Sequence, residues 1–116
     1  MEIIEREEKE IRIFEVHGRL DSNTSPDFDK KIFEKIDSGS RHLIVDCENL
    51  EYITSAGLRV LNKTAKRLKT DQGAIVLCAM KDYVREVFEI SGFDTFLPIV
   101  PSLVEAVEKQ KADMEI

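Results

Sequence analysis

The chain has no tryptophan, three prolines, five glycines, two cysteines and two histidines among its 116 residues. It is also short of positive charge, with 17 Lys and Arg against 23 Asp and Glu, a formal net charge of -6. Each scarcity excludes a class of protein. Cys47 and Cys78 show no C-x-x-C spacing and each ends an apolar, strand-like run, so they read as buried reduced thiols and not as a disulfide or metal pair. His17 and His42 stand far apart with no ligand cluster around them, so neither a metal nor a cofactor is expected. The acidic balance argues against a nucleic-acid backbone or an anionic membrane as the main partner. No apolar run approaches the roughly 20 residues of a membrane-spanning helix. Met1-Glu2-Ile3-Ile4-Glu5-Arg6 lacks the basic-then-apolar order of a secretory signal, so the cytoplasm is the expected compartment. A protein or a small molecule is left as the target.

What is present is an ordinary globular composition, 42% hydrophobic and 34% charged. A chain of this length suits one domain that buries about two thirds of its unfolded surface. That domain is expected over residues 1–110, with 111–116 a frayed tail and the molecule a monomer. Ile3 and Ile4, then a polar turn, then Ile11, Ile13, Phe14 and Val16 predict an opening hairpin that ends at Gly18. Ser25-Pro26-Asp27 reads as a helix start with Ser25 as its cap, and Phe28, Ile32, Phe33 and Ile36 form its apolar face.

Two continuous apolar runs, His42 to Cys47 and Ala74 to Ala79, have the length and composition of central strands covered on both sides. Between them Leu58, Leu61, Ala65 and Leu68 recur at helical spacing, with Arg59, Lys63, Lys66, Arg67 and Lys69 on the remaining surface. Val84, Val87, Phe88 and Ile90 predict a third helix closed by Ser91-Gly92. Phe96 to Val100 is a proline-bearing edge strand, and Leu103, Ala106 and Val107 begin a last helix. The alternation of strands and helices implies a single α/β domain: a mixed, mostly parallel sheet of four to five strands with about four helices.

One stretch proposes a function. In Tyr52-Ile53-Thr54-Ser55-Ala56-Gly57-Leu58-Arg59-Val60 an apolar run passes through small hydroxyl residues into the clearest amphipathic helix. A helix start offers free N–H groups and the positive end of the helix dipole, which suits a nucleophilic hydroxyl or a phosphate on one. Read plainly, Thr54 or Ser55 caps the helix. If Thr54 is the cap, Ser55 becomes an accessible phosphoacceptor, with Ala56 and Gly57 leaving open space around it. A catalytic Ser55 would need a base, for which His17 is the candidate, but Thr54-Ser55-Ala56-Gly57 lacks the first glycine of G-x-S-x-G. Asp21, Ser22, Asn23 and Thr24 form a polar loop at the end of a strand, where ligand-binding loops of such sheets gather, so they are a candidate rim beside Ser55. Arg59, Lys63 and Lys66 make a positive stripe able to steer an acidic partner surface.

The stretch from Tyr52 to Val60 resembles the signature of STAS domains, in particular bacterial anti-sigma factor antagonists. Gly18-Arg19-Leu20-Asp21 is similar to that family's first loop, and the element order, including Val87-Phe88-Glu89-Ile90-Ser91-Gly92-Phe93, follows it over about Ile3 to Lys109. The resemblance implies a non-enzymatic partner-switching module. It would bind an anti-sigma factor that is also a serine kinase and so free a sigma factor. Phosphorylation at Ser55 would end the binding and a serine phosphatase would restore it. The partner surface so implied comprises Asp21, Ser22, Asn23, Thr24, Thr54, Ser55, Ala56, Gly57, Arg59 and Lys63. Family members commonly carry Asp where this chain has Thr54. The alternatives are a STAS scaffold or ligand-binding signalling domain without phosphorylation, and a small serine hydrolase built on Ser55 and His17.

Overall fold

The computed structural model describes residues 1–115. Strands β1 (Glu2–Glu8) and β2 (Ile11–Leu20) form the opening antiparallel hairpin, in register from Glu2 opposite His17 to Glu8 opposite Ile11. Lys9 and Glu10 make the turn in left-handed conformation, with φ of 49° and 69°. This is the geometry that a two-residue hairpin needs to match strand twist, achieved without the expected Asn-Gly. β2 does not end at Gly18 as its sequence suggests. Gly18 takes φ of +101°, the register shifts between Gly18 and Arg19, and the strand continues to Leu20 on a new partner. Its first half lies parallel to β3 (His42–Asp46) and its second half parallel to β4 (Leu50–Ile53).

β5 (Ala74–Cys78) runs parallel to β3, and β6 (Ile99–Val100) completes a six-stranded mixed sheet of order β1-β2-β3-β5-β6, with β4 beside β2. The sixth strand, β4, is four residues with only Leu50 and Ile53 buried, too short for a pattern of its own. Of the edge strand expected over Phe96 to Val100, only Ile99 and Val100 pair; Phe96 and Leu97 turn out of the preceding 3-10 turn, Phe93–Thr95.

Helices cover both faces. Phe28, Ile32 and Ile36 of α1 (Ser25–Asp37), Leu58, Leu61 and Leu68 of α2 (Ser55–Thr70), and Val84 and Phe88 of α3 (Asp82–Ser91) pack on one side, against Phe14, Val45 and Leu77. Phe14 meets Phe28 edge to face at 6.4 Å. On the other side Ile11, Ile13, Ile44, Val76 and Cys78 lie under Leu103, Ala106 and Val107 of α4 (Leu103–Met114). This two-sided burial explains why β3 and β5 read as unbroken apolar runs.

Three local expectations are corrected. Ser25 is the first residue of α1, not its cap; Thr24 holds the cap position. Ile90 is 87% exposed and lies off the apolar face of α3. The tail expected from residue 111 is helical to Met114, because Gln110 and Asp113 tie α4 to the sheet: Gln110 Nε2 donates to the carbonyls of Leu43 and Ala74 at 2.7 and 3.1 Å, and Asp113 lies 2.8 Å from His42 Nε2. The last position of that tail, 116, is outside the described residues. Both cysteines are free and buried, and loss of solvation pushes their thiols up, that of Cys78 to about 12. No described helix is long and apolar enough to cross a membrane.

Candidate functional site

The site forms where β2 and β4 end together. Thr54 N–H donates to Leu20 O at 3.0 Å, and Leu58 N–H to Thr54 O at 3.0 Å, so α2 starts directly on the end of β2. Gly57 makes this closeness possible. A Cβ there would lie 2.8 Å from Ile53 Cγ1 and 2.8 Å from Leu20 Cγ. Gly57 is therefore a buried packing residue and does not open space around Ser55. That space comes from position: Ser55 is the first residue of α2 and is exposed, with Ala56 half-buried beside it.

Thr54 occupies the cap position in extended conformation, yet its side chain makes no capping bond; its Oγ1 is buried with no partner. The two adjacent hydroxyls thus differ sharply in access. Ser55 is exposed at the positive end of a 16-residue helix, and the Thr54 hydroxyl is enclosed.

The loop after β2 is ordered by its own side chains. Asp21 Oδ1 accepts from the N–H groups of Asn23 and Thr24 at 2.9 and 3.2 Å, while Thr24 Oγ1 accepts from Asp21 N–H at 2.9 Å and donates to Arg19 O at 2.8 Å. The bond from Asn23 N–H, with those from Thr24 and the nearby Arg19 guanidinium, holds the Asp21 carboxyl below its ordinary value. Ser22 and Asn23 remain exposed at the tip. A cleft of about 380 Å³ joins this loop to α2, lined by Ser22, Ser25, Pro26, Asp29, Ala56, Arg59, Val60 and Lys63. Loop and helix start are therefore neighbours, as their strand-end positions require.

The positive stripe is only partly free. Lys63 Nζ lies 2.6 Å from Asp29 Oδ2 and over the Phe33 ring, and Arg67 pairs with Asp37 and Asp71 at 3.1 Å each. Arg59 and Lys66 make no ion pair among the described residues. His17 is not joined to Ser55 by any described contact. Its Nε2 is 3.3 Å from Glu15, and no described hydrogen bond links it to the α2 start. His42 is at the beginning of β3, paired with Asp113, whereas Ser55 follows the end of the parallel β4. The described residues hold no cluster of potential metal ligands.

Sequence reasoning missed Ser25, Pro26, Asp29 and Val60 in the cleft wall, and the stacking of Arg19 over Tyr52 at 4.9 Å. The latter is a cross-strand pair between β2 and β4, so no signal for it exists until β4 is recognised as a strand.

The fold has counterparts among known proteins. A family model described as STAS domain matches residues 2–106. BtrV of Bordetella bronchiseptica, provisionally named an anti-sigma factor antagonist, is 41% identical over 87 residues, 75% of each chain. Among solved structures, a Thermotoga maritima protein under the same provisional description superposes with a TM-score of 0.90 at 19% identity, covering 94% of both chains. The anti-sigma factor antagonist SpoIIAA in its unphosphorylated form gives a TM-score of 0.83 at 21% identity, over 96% of this chain and 97% of that one. A structure of Bacillus SpoIIAA in the phosphorylated form gives 0.73 at 21% identity, over 93% and 98%.

Proposed function

The chain belongs to the STAS domain family, and from that premise we propose that it is an anti-sigma factor antagonist, a non-enzymatic module that binds an anti-sigma factor and is switched by phosphorylation of Ser55. The observation that carries the reading is the contrast at the start of α2: an exposed Ser55 beside a Thr54 whose hydroxyl is enclosed. A kinase can reach one and not the other. The partner in this reading is an anti-sigma factor with serine kinase activity, and a serine phosphatase resets the switch. The binding surface is the first turn of α2 with the Asp21–Thr24 loop and Arg59.

A phosphate on Ser55 adds about -1.5 to -2 charges at neutral pH, but it does so where free N–H groups and the helix dipole favour an anion, so the domain stays folded. The effect falls on the partner. A surface fitted to an uncharged hydroxyl would have to desolvate a dianion, and a few kcal/mol of penalty is about a hundredfold loss of affinity. In calorimetry with the cognate anti-sigma factor, Ser55→Asp is expected to weaken binding about a hundredfold, and Ser55→Ala to bind without being phosphorylated. Phosphate mapped to Thr54 alone, or full affinity in the phosphorylated protein, would sink the mechanism.

A further inference from the structure

Far along α2 from Ser55 lies a second surface feature that the switch does not use. Phe96 follows the 3-10 turn and leaves 49% of its surface exposed. Its ring is braced by Phe93, with centroids 5.3 Å apart, so it projects as a fixed apolar platform and not as a loose side chain. Beside it α2 contributes Asn62 and Ala65, half-buried at the margin where the helix meets the core, with the exposed Lys66 and Lys69, and the space between them is a groove of about 390 Å³.

The charges around this groove set it apart from the rest of α2. Lys63 and Arg67 are neutralised by Asp29, Asp37 and Asp71. Lys66 and Lys69, which are exposed, have no ion pair among the described residues. Standing three residues apart on a helix, they are neighbours on one face. On a chain of net charge -6, an apolar platform flanked by two uncompensated cations is a local reversal of sign. We propose that this groove docks an acidic amphipathic segment of a partner protein, an apolar side chain seating between Phe96 and Ala65 while carboxylates meet Lys66 and Lys69. Nucleic acid and anionic lipid are disfavoured by the net charge around so small a basic patch. Lys66 and Lys69 lie about 16 and 21 Å along the helix from Ser55 at 1.5 Å per residue, so the surface is separate from the switch and works in either phosphorylation state.

The test is an NMR titration of the full chain with a blocked synthetic peptide of repeating Glu-Glu-Leu-Leu, with a Lys-Lys-Leu-Leu peptide of equal length as control. Saturable shifts centred on Asn62, Ala65, Lys66, Lys69 and Phe96 are expected with the acidic peptide and none with the basic one. Phe96→Ala should weaken the affinity at least tenfold. So should the double variant Lys66→Gln with Lys69→Gln, which removes both exposed cations without placing a carboxylate in the last turn of α2. Ser55→Asp should leave the affinity as it was, which keeps this result independent of the switch. Equal binding of the two peptides, shifts centred on Ser55, or affinity unchanged in the double lysine variant would overturn the proposal. So would sedimentation showing a dimer that the lysine variant abolishes, since the occupant would then be a second copy, through acidic β1.

Discussion

Gly57 decides how closely α2 meets the sheet, and its replacement is the sharpest single-residue test of the site. Gly57→Ala places a methyl against Ile53 and Leu20, which are themselves fully packed, so it is expected to cost about 1 to 3 kcal/mol in chemical denaturation despite the better helix propensity of alanine. An unchanged midpoint would show that α2 sits further from the strand ends. Thr54→Val makes the opposite case. It removes an enclosed hydroxyl with no partner and keeps the shape, so the denaturation midpoint should hold or rise, and the proposed phosphorylation at Ser55 should be unaffected. Asp21 supplies the pH dependence. Its folded-state pKa is lowered by hydrogen bonds to the charged form, so its contribution to loop order is present above the ordinary carboxylate value, about 3.9, and is lost as pH falls through the depressed folded value. Amide exchange at Asn23 and Thr24 followed through acid titration should show protection constant above about pH 4.

At the scale of elements, α2 is held by its buried face. Leu61 is 1% exposed in the larger core, and Leu61→Ala should cost about 2 to 5 kcal/mol. The hairpin turn is, in contrast, locally mismatched to its sequence. Lys9 and Glu10 both adopt left-handed backbone, at about 1 kcal/mol or more for each side-chain-bearing residue. The exchange Lys9→Asn with Glu10→Gly is therefore expected to raise stability by about 1 kcal/mol or more, read as a higher denaturation midpoint, because those residues suit this turn. Beside the Asp113–His42 pair, α4 is anchored by the buried amide of Gln110. Gln110→Ala withdraws the donor that reaches Leu43 O and Ala74 O across the gap between β3 and β5, and a loss of about 1 to 3 kcal/mol is expected.

For the molecule as a whole, the two covered faces explain both the stability and the silence of the thiols. Cys47 packs into the core under α1, α2 and α3, and Cys78 into the core under α4, so neither is offered to solvent. Their raised pKa values mean that the stability from keeping them neutral is complete below the ordinary thiol value of 9.0 and declines as pH rises towards about 12. A thiol-reactive dye at neutral pH should label neither cysteine in the folded protein and both in denaturant. Rapid labelling of the native chain would place at least one of them at the surface.

The sequence by itself determined the parts that rest on local chemistry. The apolar runs of β3 and β5, the helical spacing of Leu58, Leu61 and Leu68, and the hydroxyl pair at the start of α2 all state their structure within a few residues, since periodicity and helix-start chemistry are short-range. The resemblance carried by Tyr52 to Val60 fixed the family for the same reason. Only tertiary structure decided what depends on contacts distant in the chain. β4 exists because the far half of β2 offers it an edge. Gly57 is a packing residue because Leu20 and Ile53 close on it. Lys63 and Arg67 lose their free charge to Asp29 and Asp37, residues more than a whole helix away in sequence. And Ser55, not Thr54, is the open hydroxyl because folding buries one of two adjacent oxygens, a distinction that no spacing of residue types encodes.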